Sequence, residues 1–350
     1  MKRLIQLLLL TSLIFSSYPL SAETDLSLQE ILQKFDISAE QIAQLEHGEV
    51  ISYEISESSH KELAIGIAMI MPVALPKILD YIKHSDLSTI ETDIIASGNL
   101  TANADLNSFK KLAFSAHQLD EAKAFLEAEP GDNFNLSKLE LEELTSLQAN
   151  LNEADNKTLL TTANQKYREF LLQRFQAYQK NGLAGIQAYN REAGVDADAA
   201  AELRTDALYN KTWASYFPEL QQAWENYPAA LPAGTSEQFM WLNHLTENRP
   251  TAILIHRLML ITKIGGIMLS RQFYVGHSYN SSNIVAGGLP YKDGTLVFYS
   301  TRLSTDQITG LGSGLKHSIG REQMKDEMIA RLKQINKNLK TTNVKTVSTQ

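Results

Sequence analysis

Apolar residues recur along this chain with two different periods, and the change of period divides it. Near the start, Leu28, Ile31, Leu32 and Phe35 share one helical face. Ser38-Ala39-Glu40-Gln41 reads as a capping box opening a second helix through Ile42 and Leu45, which Gly48 is placed to stop. Glu49 to Ile55 then alternates, with Ile51, Tyr53 and Ile55 on one side. After the polar turn Glu57-Ser58-Ser59-His60, Leu63 to Met71 is apolar on both sides, so the pair predicts a β-hairpin ended by Pro72. A helix follows from about Leu75 to Ile82, with Ile78, Leu79 and Ile82 as its buried stripe.

From about 100 to 246 the period is helical. Phe109, Leu112 and Ala116 make one stripe, and Leu119, Ala122 and Leu126 the next. Pro130-Gly131-Asp132 is a turn, and Leu136 to Leu147 an acidic helix. The strongest helix runs from about Asn156 to Asn181, with Leu160, Tyr167, Leu171, Phe175 and Tyr178 at helical spacing and Gly182 as its stop. Ala197 to Tyr209 and the face Phe217, Leu220 and Trp224 continue the pattern. Gly234-Thr235-Ser236 is expected to open a last short helix carrying Phe239, Trp241, Leu242 and Leu245. Beyond Pro250 the period returns to two. Thr251 to Ile261, Ile267 to Tyr279 and Thr295 to Arg302 predict strands, with Lys292-Asp293-Gly294 as turn chemistry. After the glycine-rich break Gly310 to Gly314, a helix is expected from about Lys316 to Asn338, with Met324, Met328, Leu332 and Ile335 on one face. Residues 341–350 carry no apolar period and are expected to form a disordered tail. The fold class is therefore α+β: an antiparallel curved sheet, a long C-terminal helix and a large helical insertion.

Composition narrows the function. The chain has 350 residues, 43% hydrophobic and 21% charged, with 40 acidic against 32 basic side chains and no cysteine. Disulfides, thiolate metal sites and a cysteine nucleophile are excluded. The acidic balance argues against capture of nucleic acid, which needs clustered Lys and Arg. Met1-Lys2-Arg3, the apolar run Leu4 to Phe15 and the small residues up to Ala22 have the layout of a secretory signal peptide cut after Ala22. The run is about a dozen residues, short of the roughly 20 that span a bilayer. A periplasmic or secreted protein with no transmembrane segment after signal removal is the expectation. Residues 23–48 would form N-terminal helices and 49–340 the main domain.

The order of elements in Glu49 to Ile82 and Thr251 to Asn338 resembles the START-related helix-grip superfamily of polyketide-cyclase and lipid-transfer domains. There a curved sheet wraps the last helix around an apolar cavity. The run is also similar to uncharacterised exported proteins of Gram-negative bacteria, through Tyr167-Arg168-Glu169-Phe170, Gly182-Leu183-Ala184-Gly185-Ile186 and Arg271-Gln272-Phe273-Tyr274-Val275. The resemblance implies a cavity and no catalytic signature.

The densest polar cluster lies in the second C-terminal strand. Counting by two puts Arg271, Phe273, Val275, His277 and Tyr279 on one side, and Met268, Ser270, Gln272, Tyr274 and Ser278 on the other. The first set suits a cavity wall in which Arg271 meets an acidic head while His277 and Tyr279 orient it. A solvent-exposed face is the alternative. His256 and Arg257 interrupt the apolar Ile253 to Ile261. His256 reads either as a satisfied core histidine or as a ligand contact. His317 and Arg321 share a helix face, and Glu140-Leu141-Glu142-Glu143 reads as a solvated one. No P-loop, nucleophile elbow or metal-ligand spacing is present, so no cofactor and no catalytic residue is assigned. The leading expectation is a binding protein for a small hydrophobic or amphipathic molecule, lipids included, contacted by Arg271, Phe273, His277, Tyr279 and His256. The alternatives are an enzyme using His256 or His277 as general base, and an envelope protein whose partner docks on the helical insertion.

Overall fold

The hairpin predicted at the start of the main domain forms: β1 (Ile51–Tyr53) pairs antiparallel with β2 (Glu62–Met71). The computed structural model describes residues 32–347 apart from 34, 132, 152, 193 and 210. The expected leader, Leu28 and Ile31 lie outside the described residues. β3 (Ile94–Leu100), β4 (Ser236–Thr246), β5 (Arg249–Ile261), β6 (Gly266–Val275), β7 (Ser281–Tyr291) and β8 (Gly294–Ser304) complete one sheet. Its order is β1-β2-β8-β7-β6-β5-β4-β3, every neighbouring pair antiparallel. The helices are α1 (Ala39–Glu46), α2 (Leu75–His84), α3 (Leu119–Leu126), α4 (Lys138–Gln148), α5 (Asn156–Asn181), α6 (Ala199–Tyr209), α7 (Lys211–Ala214), α8 (Pro218–Glu225) and α9 (Ser313–Val347). The α+β class, curved antiparallel sheet, long C-terminal helix and helical insertion are all present.

The two sides of the sheet are covered differently. α9 packs Met324, Met328 and Leu332 onto Leu63, Ile65, Ile67 and Met69 of β2 and Val297 and Tyr299 of β8. The insertion packs on the other side, where Phe175, Tyr178 and Leu203 meet Phe239, Trp241, Leu254 and Phe273. Central strands flanked by helices on both sides must be apolar on both sides.

Several expectations change for that reason. Ser236 to Thr246 is a strand, not the short helix expected there. Met240 and Leu242 face one layer while Phe239 and Trp241 face the other, so neither period is clean. Its hairpin turn is Glu247-Asn248, both with positive φ, instead of the usual Asn-Gly. β3 and β7 were not expected. β7 carries Gly287, Gly288 and Pro290, residues that weaken a strand pattern, yet Gly287 is required: a Cβ there would sit 2.1 Å from Trp213. The acidic run at 140–143 is not wholly solvated either. Glu140 is buried and accepts from Arg174 Nε at 2.7 Å, while also closing the capping box with Ser137.

Arg331 of α9 shows how far the sheet curls. Its Nη1 donates to Tyr299 Oη of β8 and its Nη2 to Glu91, just ahead of β3, each at 2.8 Å. Glu91 in turn lies 3.6 Å from His244 of β4. β8 and β4 are four strand spacings apart, roughly 19 Å in a flat sheet. One guanidinium spans from β8 to the loop ahead of β3 because the sheet curls around α9. Arg331→Met should therefore lower stability by about 2–3 kcal/mol, under the range for fully buried pairs because both side chains keep about a quarter of their surface, 27% and 22%. The urea midpoint measures this. A loss below ~0.5 kcal/mol would mean the clasp does not hold the curl.

Candidate functional site

On the α9 side of the sheet, residues in neighbouring strands align in rows. One row runs Arg257, Ser270, Ile284, Thr301 and Ile65; the next runs Met259, Met268, Ala286, Tyr299 and Ile67. β6 and β7 stand in the middle of the sheet, where full burial is expected. Gln272, Ile284 and Ala286 nevertheless keep part of their surface exposed, as does Tyr279 just beyond β6. On the opposite side His256, Arg271, Leu258 and Phe298 are all 0% exposed. The α9 side thus keeps a partly exposed seam at mid-sheet, the candidate cleft, while the insertion side is close-packed.

The cleft wall is rich in methionine. Met69, Met71, Met240, Met259, Met268, Met324 and Met328, which are all the methionines after Met1, lie on the α9 side of the sheet or on α9 itself. Thioether side chains are unbranched and polarisable, and they adapt to irregular apolar shapes.

Arg257 lies among them. It is 8% exposed, and no hydrogen bond or ion pair reaches its nitrogens among the described residues; Nε and Nη1 are sealed and unpaired. Burial draws its guanidinium down to about 10, opposed by Tyr299 and Glu91 and reinforced by Arg331. Thr301, in the same row, has a buried hydroxyl that is also unpartnered among the described residues. Nearby charges are otherwise matched. Glu91 would be raised by burial, but Arg331 and His244 hold it below the ordinary carboxylate range. Burial raises Glu327 despite the pull of Arg331. The Tyr279 hydroxyl donates to Gln272 Oε1 at 2.7 Å.

The structure does not bring the five sequence-predicted residues together. A β-bulge is the reason. Leu254 pairs with Tyr274 and Ile255 with Gln272, so Phe273 is an extra residue on β6 and the alternation shifts there. Phe273 and Tyr274 both face the insertion, while Val275 and Tyr279 face the α9 side. Counting by two across the bulge therefore placed Val275 and Tyr279 on the wrong side of Arg271. Of the five, Tyr279 alone borders the cleft.

Arg271, Phe273 and His256 belong to the packed insertion side. Arg271 Nη1 donates to Tyr178 Oη at 3.0 Å, Nη2 donates to the Trp224 carbonyl at 3.2 Å, and the guanidinium lies 4.1 Å from the Trp224 ring centroid. Phe273 stacks on Tyr178 at 3.9 Å. Because Tyr178 accepts from Arg271, its own proton goes to His256 Nδ1, 2.9 Å away, which leaves Nε2–H to donate to Glu237 at 3.0 Å. That assigns a neutral imidazole with both nitrogens used. Burial above all, then Arg271, lowers His256 to about 4, with Glu237 opposing. His277 sits in the β6–β7 connection between Thr251 Oγ1 and Ser278 Oγ, 2.7 Å from each. Burial, then Arg249, lowers it to about 3. Neither histidine titrates near neutrality, the property a general base at pH 7 needs.

Sequence reasoning passed over Arg257, Tyr299, Thr301 and Arg331. Arg257 carried a usable signal, since Ile253, Ile255, Met259 and Ile261 flank it on one face with no other charge. No family model matches this chain, and neither a curated protein nor a solved structure matches it.

An unpaired buried cation is costly. Arg257→Met should raise the stability of the protein by about 1–2 kcal/mol, read as an increased urea midpoint. Loss of stability would instead give Arg257 a structural role. His256 yields a pH dependence. Its folded-state value of about 4 lies below the unfolded value of about 6.5, so the unfolded chain takes up the proton first as pH falls. Its contribution is complete above pH ~6.5 and lost between ~6.5 and ~4, about 3 kcal/mol in all. His256→Gln should flatten the slope of stability against pH in that window. An unchanged slope would contradict the assignment of a neutral imidazole.

Proposed function

We propose that the protein is an exported binding protein that holds a small amphipathic molecule, lipids included, in the cleft between α9 and the sheet. The observation that carries this reading is the partly exposed surface of Ile284 and Ala286 at the middle of the sheet, beside the buried methionines Met259 and Met268. A pocket of mixed apolar surface with few placed polar groups suits a ligand with an apolar body and one polar end. The leader-like segment at 1–22 supports export to a periplasm or beyond. Among the described residues no helix is long and apolar enough to cross a membrane, in keeping with a mature chain that lacks a spanning helix. The START-like element order supports the same reading, because that architecture places a cavity under the last helix.

Native mass spectrometry of protein purified from its own cells is the direct test, with a bound molecule of a few hundred daltons as the expected result. Ala286→Trp, which fills the cleft, should weaken binding of dodecan-1-ol more than ~10-fold by calorimetry while the thermal midpoint stays within ~3 °C. Protein that carries no adduct and binds no twelve-carbon amphiphile would defeat the proposal.

A further inference from the structure

Arg257 defines the charge of the occupant. Arg331 and Glu91, the nearest charged pair, are bonded to each other, although Glu91 also attracts Arg257 without reaching it. From α9, Arg331 is bonded to Glu91 and Tyr299; from β4, His244 lies against Glu91; Glu327 of α9 feels Arg331 and His244. Arg257, from β5, is left with a full positive charge and unpaired N–H donors, nine-tenths out of water. A protein that keeps such a group without using it would gain stability by losing it. The unpartnered Thr301 hydroxyl adds a second donor in the same row of the sheet.

We propose that Arg257 is the anchor for a singly charged anionic head group, with the ligand's apolar chain lying along Met259, Met268 and Ile284. The proposal rests on the reading of the cleft as a ligand chamber. One buried guanidinium that makes no ion pair matches one negative charge; a dianion would leave a buried charge unmatched, which is strongly unfavourable. A planar guanidinium fork fits both a carboxylate and a phosphodiester. Methionine walls favour a flexible chain over a rigid ring system.

Calorimetry on the mature chain at pH 7.4 with probes sharing one twelve-carbon chain tests this. The probes are dodecanoate, lauroyl lysophosphatidylglycerol, dodecan-1-ol and dodecyl phosphate. At least one of the two monoanionic heads should bind ~10-fold or more tighter than dodecan-1-ol, and which one it is distinguishes a free acid from a phospholipid. Arg257→Gln should remove that preference, weakening the preferred anion ~10–100-fold while dodecan-1-ol changes less than ~3-fold. Arg257→Lys should restore part of it, since it returns the charge without the fork. Equal affinity for dodecan-1-ol and both monoanions would overturn the head-group assignment while leaving the chamber intact. So would an Arg257→Gln variant with unchanged preference, or tighter binding of the dianionic dodecyl phosphate. Failure of all four probes would defeat the chamber itself. If Arg257→Gln does not fold, the preference of the wild-type chain for a monoanion over dodecan-1-ol still decides the matter.

Discussion

The bond pair made by Arg331 is the constraint on which the architecture turns. A single side chain of α9 holds Tyr299 near one end of the sheet and Glu91 beside the other. An eight-stranded antiparallel sheet twists on its own account, but twist alone does not bring strands four places apart to a common partner. The clasp does so around α9, and Asn338 continues it by donating to Tyr81 of α2 and to the Thr89 carbonyl. A cylinder inside a curled sheet touches it best along the strands nearest its contact line, here β2 and β8. Over β6 and β7 the fit is looser, and there Gln272, Ile284 and Ala286 keep part of their surface.

The two sides of the sheet treat polar groups in opposite ways. On the insertion side the buried charges described are held by hydrogen bonds from neighbouring groups. Arg302 Nη1 donates to Glu62 at 2.7 Å, Arg174 is held by Glu140, and Arg271 leads through Tyr178 and His256 to Glu237. Asp206 keeps its proton through burial and the neighbouring Glu62 carboxylate, and it accepts from Asn283 at 3.3 Å. Such networks are costly when half-satisfied, so they specify how the insertion docks on the sheet. On the α9 side, Arg257 is left unpaired in a wall of deformable methionines. One side is close-packed and hydrogen-bonded; the other keeps a buried guanidinium without a hydrogen-bond partner among the described residues.

Much of the fold could be read from the chain. The hairpin of β1 and β2, helix α5 with its Gly182 stop, strand β5 and the Met324-Met328-Leu332 stripe of α9 follow from local period and capping chemistry. The candidate site was less legible. Arg271 and His256 drew notice because polar residues in apolar strands stand out, but that signal does not separate a polar group with partners from one without. The bulge at Phe273 then moved Val275 and Tyr279 across the sheet. No local feature of Gln272-Phe273-Tyr274 announces it.

The sequence by itself determined which segments are helix or strand wherever one face is polar, since amphipathic period is a local property. It also determined the class, the absence of cysteine chemistry and the leader-like first segment. Only the tertiary structure decided which side of each two-sided apolar strand faces which layer, because a strand that is apolar on both sides has no register signal of its own. It alone decided that both terminal nitrogens of Arg271 find acceptors while Arg257 finds none among the described residues. Those two arginines sit in adjacent strands with similar neighbours in sequence. What separates them is the company they meet: Tyr178 and Trp224 from the insertion for Arg271, and buried apolar side chains such as Met259 and Met268 for Arg257.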